Sequence, residues 1–369
     1  MNREIKLTNR VYLSPCKNYQ ENLVKDTLIP MLENILRDNG FGEDWAGKKI
    51  VIKPNLLAKR VPGAGVTAHP VLVEVAASYF IRQGAKVIIA DSPGGLYHPK
   101  LLERLYETTG MRAAAEKSGA DLNLDTSSLP VGDFTVITPL VEADLIVSIG
   151  RLKTHMLCDM TAAVKNLFGS IPGAKKAEYH AKFPKKRDFC DMLVTLCQTN
   201  APQVNIIDAI VAMEGNGPAS GTLRKVGAIC GSANPFALDL MCAHMMGYAP
   251  EEVETVAISR ERNLCPCSLE ELEITGGDVA KYTHRFRRPK TNQKTGLLRL
   301  LPRTIATRLK KEKKPVILEK KCIGCGECVR SCPAETMELV DKKAVIHREN
   351  CIKCYCCQEL CPQKAVVVR

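Results

Sequence analysis

CIGCGECVRSCP, residues 322–333, recurs in near copy as CIKCYCCQELCP at residues 351–362. Each stretch spaces its cysteines C-x2-C-x2-C-x3-C and closes on a proline, Pro333 in the first and Pro362 in the second. Three cysteines two residues apart wrap one corner of a cubane, while the fourth, ahead of proline, points away and completes the neighbouring centre. The repeat therefore predicts two [4Fe-4S] clusters with exchanged fourth ligands. Cys322, Cys325, Cys328 and Cys361 are expected to hold one, and Cys351, Cys354, Cys357 and Cys332 the other. Zinc sites use four ligands in two pairs, which two tandem sets of four do not match. Gly324 and Gly326 are expected to let backbone N–H groups approach the sulfurs. Cys356, inside the second repeat but out of register, reads as a bystander thiol.

Outward from this end, the chain has 369 residues, more than one compact core of ordinary size, so two or three domains are expected. Hydrophobic residues at 45% and charged residues at 25% exclude wholesale disorder. The N-terminal MNREIKLTNR has no apolar leader core, and no apolar run of about 18 residues occurs, so a cytoplasmic location is expected. In such a chain seventeen cysteines argue for reduced thiols and metal ligation rather than disulfides.

The net charge of +12 belongs to one segment: fifteen Lys and Arg stand against two Glu between Lys281 and Lys321. Residues 281–315 read as a basic linker, with a short amphipathic basic helix after Pro302. Its charge suits an acidic redox partner protein or peripheral contact with an anionic membrane surface. Nucleic acid is not expected, because no helix-turn-helix or aromatic-interleaved pattern accompanies the charge.

Residues 1–280 alternate short apolar runs with helical patterns, the mark of an α/β domain with a mainly parallel sheet and flanking helices. The runs are 11–13, 49–53, 86–91, 144–149, 204–208 and 228–230, and the helical stretches 20–39, 70–84, 99–118, 187–200 and 235–247. Ligands of such sheets bind beyond the carboxyl ends of the strands. There the sequence places Lys53 and Asn55, then Asp91 with Gly94 and Gly95, then Lys153 and His155, then Asp208 and Glu214, and finally Asn234. Turn chemistry explains Asp, Asn and Gly but does not call for the lysines and the histidine. A further helix carrying Lys165 and Asn166 leads through Gly173 to Lys175, Lys176 and His180, a segment able to cradle an anion. It has neither nucleotide-binding glycine pattern. His69 suits either a helix cap or the cleft.

VIKPNLL (51–57), TAHP (67–70), IADSPGG (89–95), RLKTHMLCDMTAAVKNLFGSIPG (151–173), DAIVAMEGNGP (208–218) and SANPFALD (232–239) together resemble the domain-of-unknown-function family 362. The cysteine repeats resemble the bacterial-type ferredoxin module often fused to it. The resemblance implies an α/β domain followed by a small α+β two-cluster ferredoxin-like domain over 316–369. It nominates Lys53, Asn55, Asp91, Lys153, His155, Lys165, Asn166, Asp208 and Glu214, and it implies no settled reaction.

Three functions fit these residues. The first is a ferredoxin-coupled oxidoreductase that takes electrons from a soluble donor protein and passes them to a small anionic or carbonyl-bearing substrate. Lysines would bind that substrate and His155 would move a proton. Because clusters pass electrons singly, this reading calls for a radical step or for an unidentified flavin or organic cofactor. The second is an electron-carrier or docking subunit without substrate chemistry. The third is a non-redox enzyme with structural or sensing clusters.

Overall fold

The computed structural model describes residues 3–42, 44–292 and 313–369. Strands form where β-branched runs are buried on both faces. In chain order they are β1 (Arg10–Pro15), β2 (Lys49–Pro54), β3 (Lys86–Ile89), β4 (Asp121–Leu122), a hairpin of β5 (Ser128–Val131) and β6 (Phe134–Ile137), β7 (Leu145–His155), β8 (Asp159–Thr161), β9 (Val204–Glu214), β10 (Thr222–Ser232) and β11 (Glu273–Thr275). The main sheet runs β11-β1-β10-β9-β7-β2-β3-β4, with β8 paired to β7. From β9 to β4 the path is parallel, while β10 lies antiparallel to β9 and β1.

Successive side chains of a strand face opposite layers. Ile50 and Ile52 of β2 pack with Leu28, Leu32 and Phe80 from helices Glu21–Asp38 and Pro70–Ile81. Val51 and Ile146 face Phe189 and Leu193 of helix Lys186–Asn200. Helix Pro235–Met245 covers the antiparallel end through Leu238 and Met241. The α/β architecture is thus as expected, a mainly parallel sheet between helical layers.

Two local expectations change. The helical pattern over 99–118 is two helices, Pro99–Thr109 and Met111–Ser118, because Gly110 between them is left-handed at φ 77° and caps the first. The run ending at Ile149 continues as strand to His155, with Lys153 paired to Thr161 of β8 and to Met213 of β9. Charged residues looked like a strand end, yet Arg151, Lys153 and His155 are buried and each finds polar neighbours there.

The C-terminal part pairs β12 (Pro315–Ile317) with β15 (Val366–Val368), encloses the hairpin β13 (Met337–Val340) and β14 (Lys343–Ile346), and carries two short helices, Glu327–Arg330 and Cys356–Leu360. It sits on the front domain. Arg60 donates to the Cys361 carbonyl (2.9 Å), Gln358 to that of Asn216 (3.3 Å), and Met156 packs with Tyr355 and Val368. The start of the basic segment also lies on the front domain: Arg287 pairs with Glu214 (2.9 Å), and Arg288 pairs with Glu252 (3.0 Å) and stacks on Tyr248. The basic helix expected after Pro302 lies outside the described residues. Among the described residues no helix is long and apolar enough to cross a membrane.

Candidate functional site

Two small apolar pockets in the C-terminal part sort the cysteines. One is lined by Cys322, Cys325, Cys328 and Cys361, with Ile317, Ile323 and Leu339. The other is lined by Cys332, Cys351, Cys354 and Cys357, with Met337, Ile346 and Tyr355. The fourth cysteine of each repeat therefore faces the pocket of the other repeat. Backbone N–H groups address the sulfurs from outside: Ala344 to Cys322 (3.4 Å), Ala365 to Cys361 (3.2 Å) and Thr336 to Cys332 (3.3 Å). Four thiols around an apolar space, with donors on the sulfurs, fit one [4Fe-4S] cluster in each pocket. Gly324 has a sharper role than expected: at φ 67° its Cβ would fall 2.3 Å from the Lys342 carbonyl. In the second repeat Lys353 and Tyr355 adopt the corresponding left-handed turns.

Between the two parts lies a cavity of ≈ 460 Å³. From the front domain it is lined by Asn55, Asp91, Ser92, Gly94, Gly95, Lys153, His155, Thr161, Lys165, Phe168, Gly173, Lys176 and His180. From the other side it is lined by Cys325, Glu327, Arg330, Cys356, Glu359 and Pro362. The carboxyl ends of β2, β3 and β7 meet here, as the strand-end rule anticipates.

Each wall residue is held in a definite state. Lys153 donates to Asn55 Oδ1 and the Val66 carbonyl, both at 2.6 Å, and burial with Arg151 nearby lowers it to about 7. Lys176 donates to the carbonyls of Ser92 (3.0 Å), Pro93 (3.2 Å) and Ile171 (2.5 Å), and burial lowers it likewise to about 7. Nδ1 of His155 accepts the backbone N–H groups of Leu157 (3.1 Å) and Cys158 (3.2 Å), so this network assigns the proton to Nε2. Burial, then Lys165, lowers His155 to about 4, leaving a neutral ring. Its Nε2 lies 3.1 Å from Glu359 Oε1 and makes no other hydrogen bond among the described residues. Ser92 Oγ and Thr161 Oγ1 are also buried and unpartnered there. The Lys165 ammonium stands 5.2 Å from the Phe168 ring centre and 5.7 Å from that of Phe189. An ammonium thus stands at the cavity, and two unpartnered hydroxyls and an imidazole N–H are buried in the residues of its wall.

Beneath the wall, Lys53 and Asp91 form a buried ion pair at 2.7 Å. Burial pushes the lysine down and the carboxyl up, and each offsets the other. Lys53 is therefore a support for Asp91 rather than part of the lining. Asn166 lines the cavity and also reaches into this layer, donating to Ser148 Oγ at 2.9 Å.

Four expected residues, and His69, stand elsewhere. Lys175 turns to Thr135 Oγ1 (3.0 Å). Its neighbour Lys176 and His180, four residues apart on helix Gly173–Lys182, share the face toward the cavity. Asp208 is wholly buried, accepting from Tyr19 Oη (2.9 Å) and lying 3.6 Å from Arg151. His69 stacks on that tyrosine with ring centres 3.7 Å apart. Glu214 holds Arg224 (3.0 Å) and Arg287. Asn234 caps helix Pro235–Met245 by accepting from Phe236 N (3.0 Å) and Ala237 N (3.3 Å). Cys356, set aside as a bystander, lines the cavity, as do Ser92, Thr161 and Glu359, which the sequence reading did not single out.

Comparison with known proteins agrees with this architecture. Residues 50–244 match the model of the domain of unknown function DUF362. The chain belongs to the DUF362 family. Residues 314–362 of this DUF362 protein match a 4Fe-4S dicluster domain, so it is an iron-sulfur electron-transfer protein carrying two [4Fe-4S] clusters. It is 30% identical over 280 residues to the thylakoid-associated protein sll1697 of Synechocystis sp., across 72% of this chain and 83% of that one. Among solved structures it is similar to the lactate racemase apoprotein of Thermoanaerobacterium thermosaccharolyticum, with 15% identity and a TM-score of 0.42 over 64% of this chain. The chain spans 57% of that protein, and a likeness at this level carries no argument about its chemistry.

Proposed function

We propose that this DUF362 protein is an oxidoreductase that passes electrons from its clusters to a small oxyanion-bearing acceptor seated between the two parts of the chain. The observation that carries the reading is the shared wall: Cys325, a cluster ligand, lines the same cavity as Lys153, His155 and Lys165. When bound, the clusters would supply one electron each, so that reducing a carbonyl to an alcohol would take two successive one-electron transfers and two protons drawn from solvent.

The residues of the wall divide the remaining work. Lys165 offers its ammonium to a carboxylate or other oxyanion, and Thr161 and Ser92 offer hydroxyl donors that protein groups leave unused. The Nε2–H of His155 is placed to polarise a second acceptor atom, because its other nitrogen is held by the backbone. Lys153, fixed by Asn55, adds positive potential without leaving its place. Burial of this array makes each interaction stronger than it would be in water.

Pyruvate, which joins a carboxylate to a carbonyl, is a suitable probe. Added to the anaerobically reduced protein, it should shift the paramagnetic resonance of the clusters or return them to the oxidised state. Lys165→Ala should weaken that response roughly tenfold or more. If pyruvate and a panel of simple carboxylates and phosphate esters leave the spectrum and the oxidation state untouched, the protein is a carrier whose cavity does no redox chemistry.

A further inference from the structure

The cluster pocket that touches the cavity has a second side, facing solvent. Ile323 and Leu339 line the pocket of Cys322, Cys325, Cys328 and Cys361 and are nevertheless 61% and 44% exposed. Lining one pocket together, these two apolar side chains make a small exposed patch directly over a redox site. Around them stand four exposed lysines. Lys320 and Lys321 immediately precede Cys322, Lys342 lies in the turn joining β13 to β14, and Lys343 opens β14. The turn is held against the ligand loop: Lys343 donates to the Cys322 carbonyl at 2.6 Å, and the Lys342 carbonyl abuts Gly324. Glu319 and Asp341 are the carboxylates within the same two segments, so the rim keeps an excess of positive charge.

We infer that this window is the docking face for an acidic electron-carrier protein. An apolar centre excludes water and brings a partner's redox group close, and a basic rim steers an acidic surface toward it. Among the described residues the other cluster pocket has no apolar wall residue as exposed as Ile323 or Leu339. Ile346, Ile352, Pro333 and Ala334 on its wall are only partly exposed and Tyr355 is buried. The two sides of the first cluster site then serve different roles, entry at Ile323 and delivery at Cys325. The docking assignment does not depend on what occupies the cavity.

Binding of an oxidised acidic plant-type ferredoxin to the cluster-loaded full chain tests this without turnover. Calorimetry at low and high salt should give an affinity that falls steeply with ionic strength. K320E/K321E/K342E/K343E should weaken binding at low salt at least roughly tenfold and flatten the salt dependence. The same variant should slow cluster reduction by the reduced ferredoxin, yet leave reduction by photoreduced deazariboflavin, a small neutral donor, within about twofold. If charge reversal costs the chain its clusters, Lys→Gln at the four positions gives the same reading. Unchanged affinity in either variant overturns the assignment, as does a larger loss on reversing Lys314, which adjoins Pro315 of the other pocket.

Discussion

His155 at the end of β7 and Glu359 of helix Cys356–Leu360 approach to 3.1 Å across the junction of the two parts of the chain. Both are buried, with side chains 1% and 10% exposed. Burial would push Glu359 up, but the N–H of the neutral His155 ring and the charge of Lys165 outweigh it and hold the carboxylate ionised. Truncating the histidine leaves that carboxylate facing the cavity with fewer partners. His155→Ala should therefore lower stability by about 1–3 kcal/mol. His155→Ala/Glu359→Ala should recover part of the loss, since no stranded charge remains. Thermal unfolding of the four members of the cycle checks the sign; strictly additive losses would show that the two side chains do not interact.

The exchanged fourth ligands make a count of iron decisive. Cys322 and Cys361 line one pocket although they belong to different repeats. Cys322→Ser/Cys361→Ser should therefore retain roughly four irons per chain, held by Cys332, Cys351, Cys354 and Cys357. Were each repeat to hold its own cluster, the same double variant would damage both, and the iron content and the reduced-cluster signal would fall toward zero.

Gly169 lies directly over the buried Lys53–Asp91 pair. A Cβ there would fall 2.1 Å from Asp91 Oδ1 and 2.6 Å from Lys53 Nζ, so any side chain must push the pair apart. Lys53→Met alone strands a carboxylate whose other oxygen is already committed to the Leu56 N–H at 2.8 Å. The expected cost is about 3–5 kcal/mol. Lys53→Met/Asp91→Leu should return most of it, because an apolar pair of similar volume asks for no counter-charge. Gly169→Ala should resemble the single rather than the double variant in its unfolding midpoint.

The layered α/β fold was legible because buried strands leave an unmistakable apolar run and because cysteine spacing admits few geometries. The cavity was legible in two pieces: the parallel-sheet rule placed Asn55, Asp91, Lys153 and His155 there, and the anion-cradling segment supplied Lys165, Gly173, Lys176 and His180. Facing was not legible. Lys175 and Lys176 are identical in chemistry and neighbours in sequence, yet a helical step of about 100° sends one to Thr135 and the other to the cavity. Asp208 and Glu214 sit on β9, whose polar residues serve Tyr19, Arg151 and the arginines of the following segments. Glu359 could not be foreseen as a wall residue, since it reaches the cavity only when the two parts of the chain meet.

Lys153 and Lys176 give the cavity a pH dependence of definite sign. Burial lowers both from 10.5 to about 7, so each carries its charge below that pH and loses it above. Pyruvate keeps a single negative charge throughout, so its affinity should fall between about pH 6 and 8, by roughly tenfold if each lysine contributes about 1 kcal/mol. Lys153→Gln or Lys176→Gln should flatten the profile and weaken binding on its acid side. For stability the sign is opposite: between about 7 and 10.5 the unfolded chain binds protons that the folded chain has released, so these two groups make the fold more stable as pH rises. Affinity that is constant or rises across the window would mean that neither ammonium supplies the positive potential of the cavity.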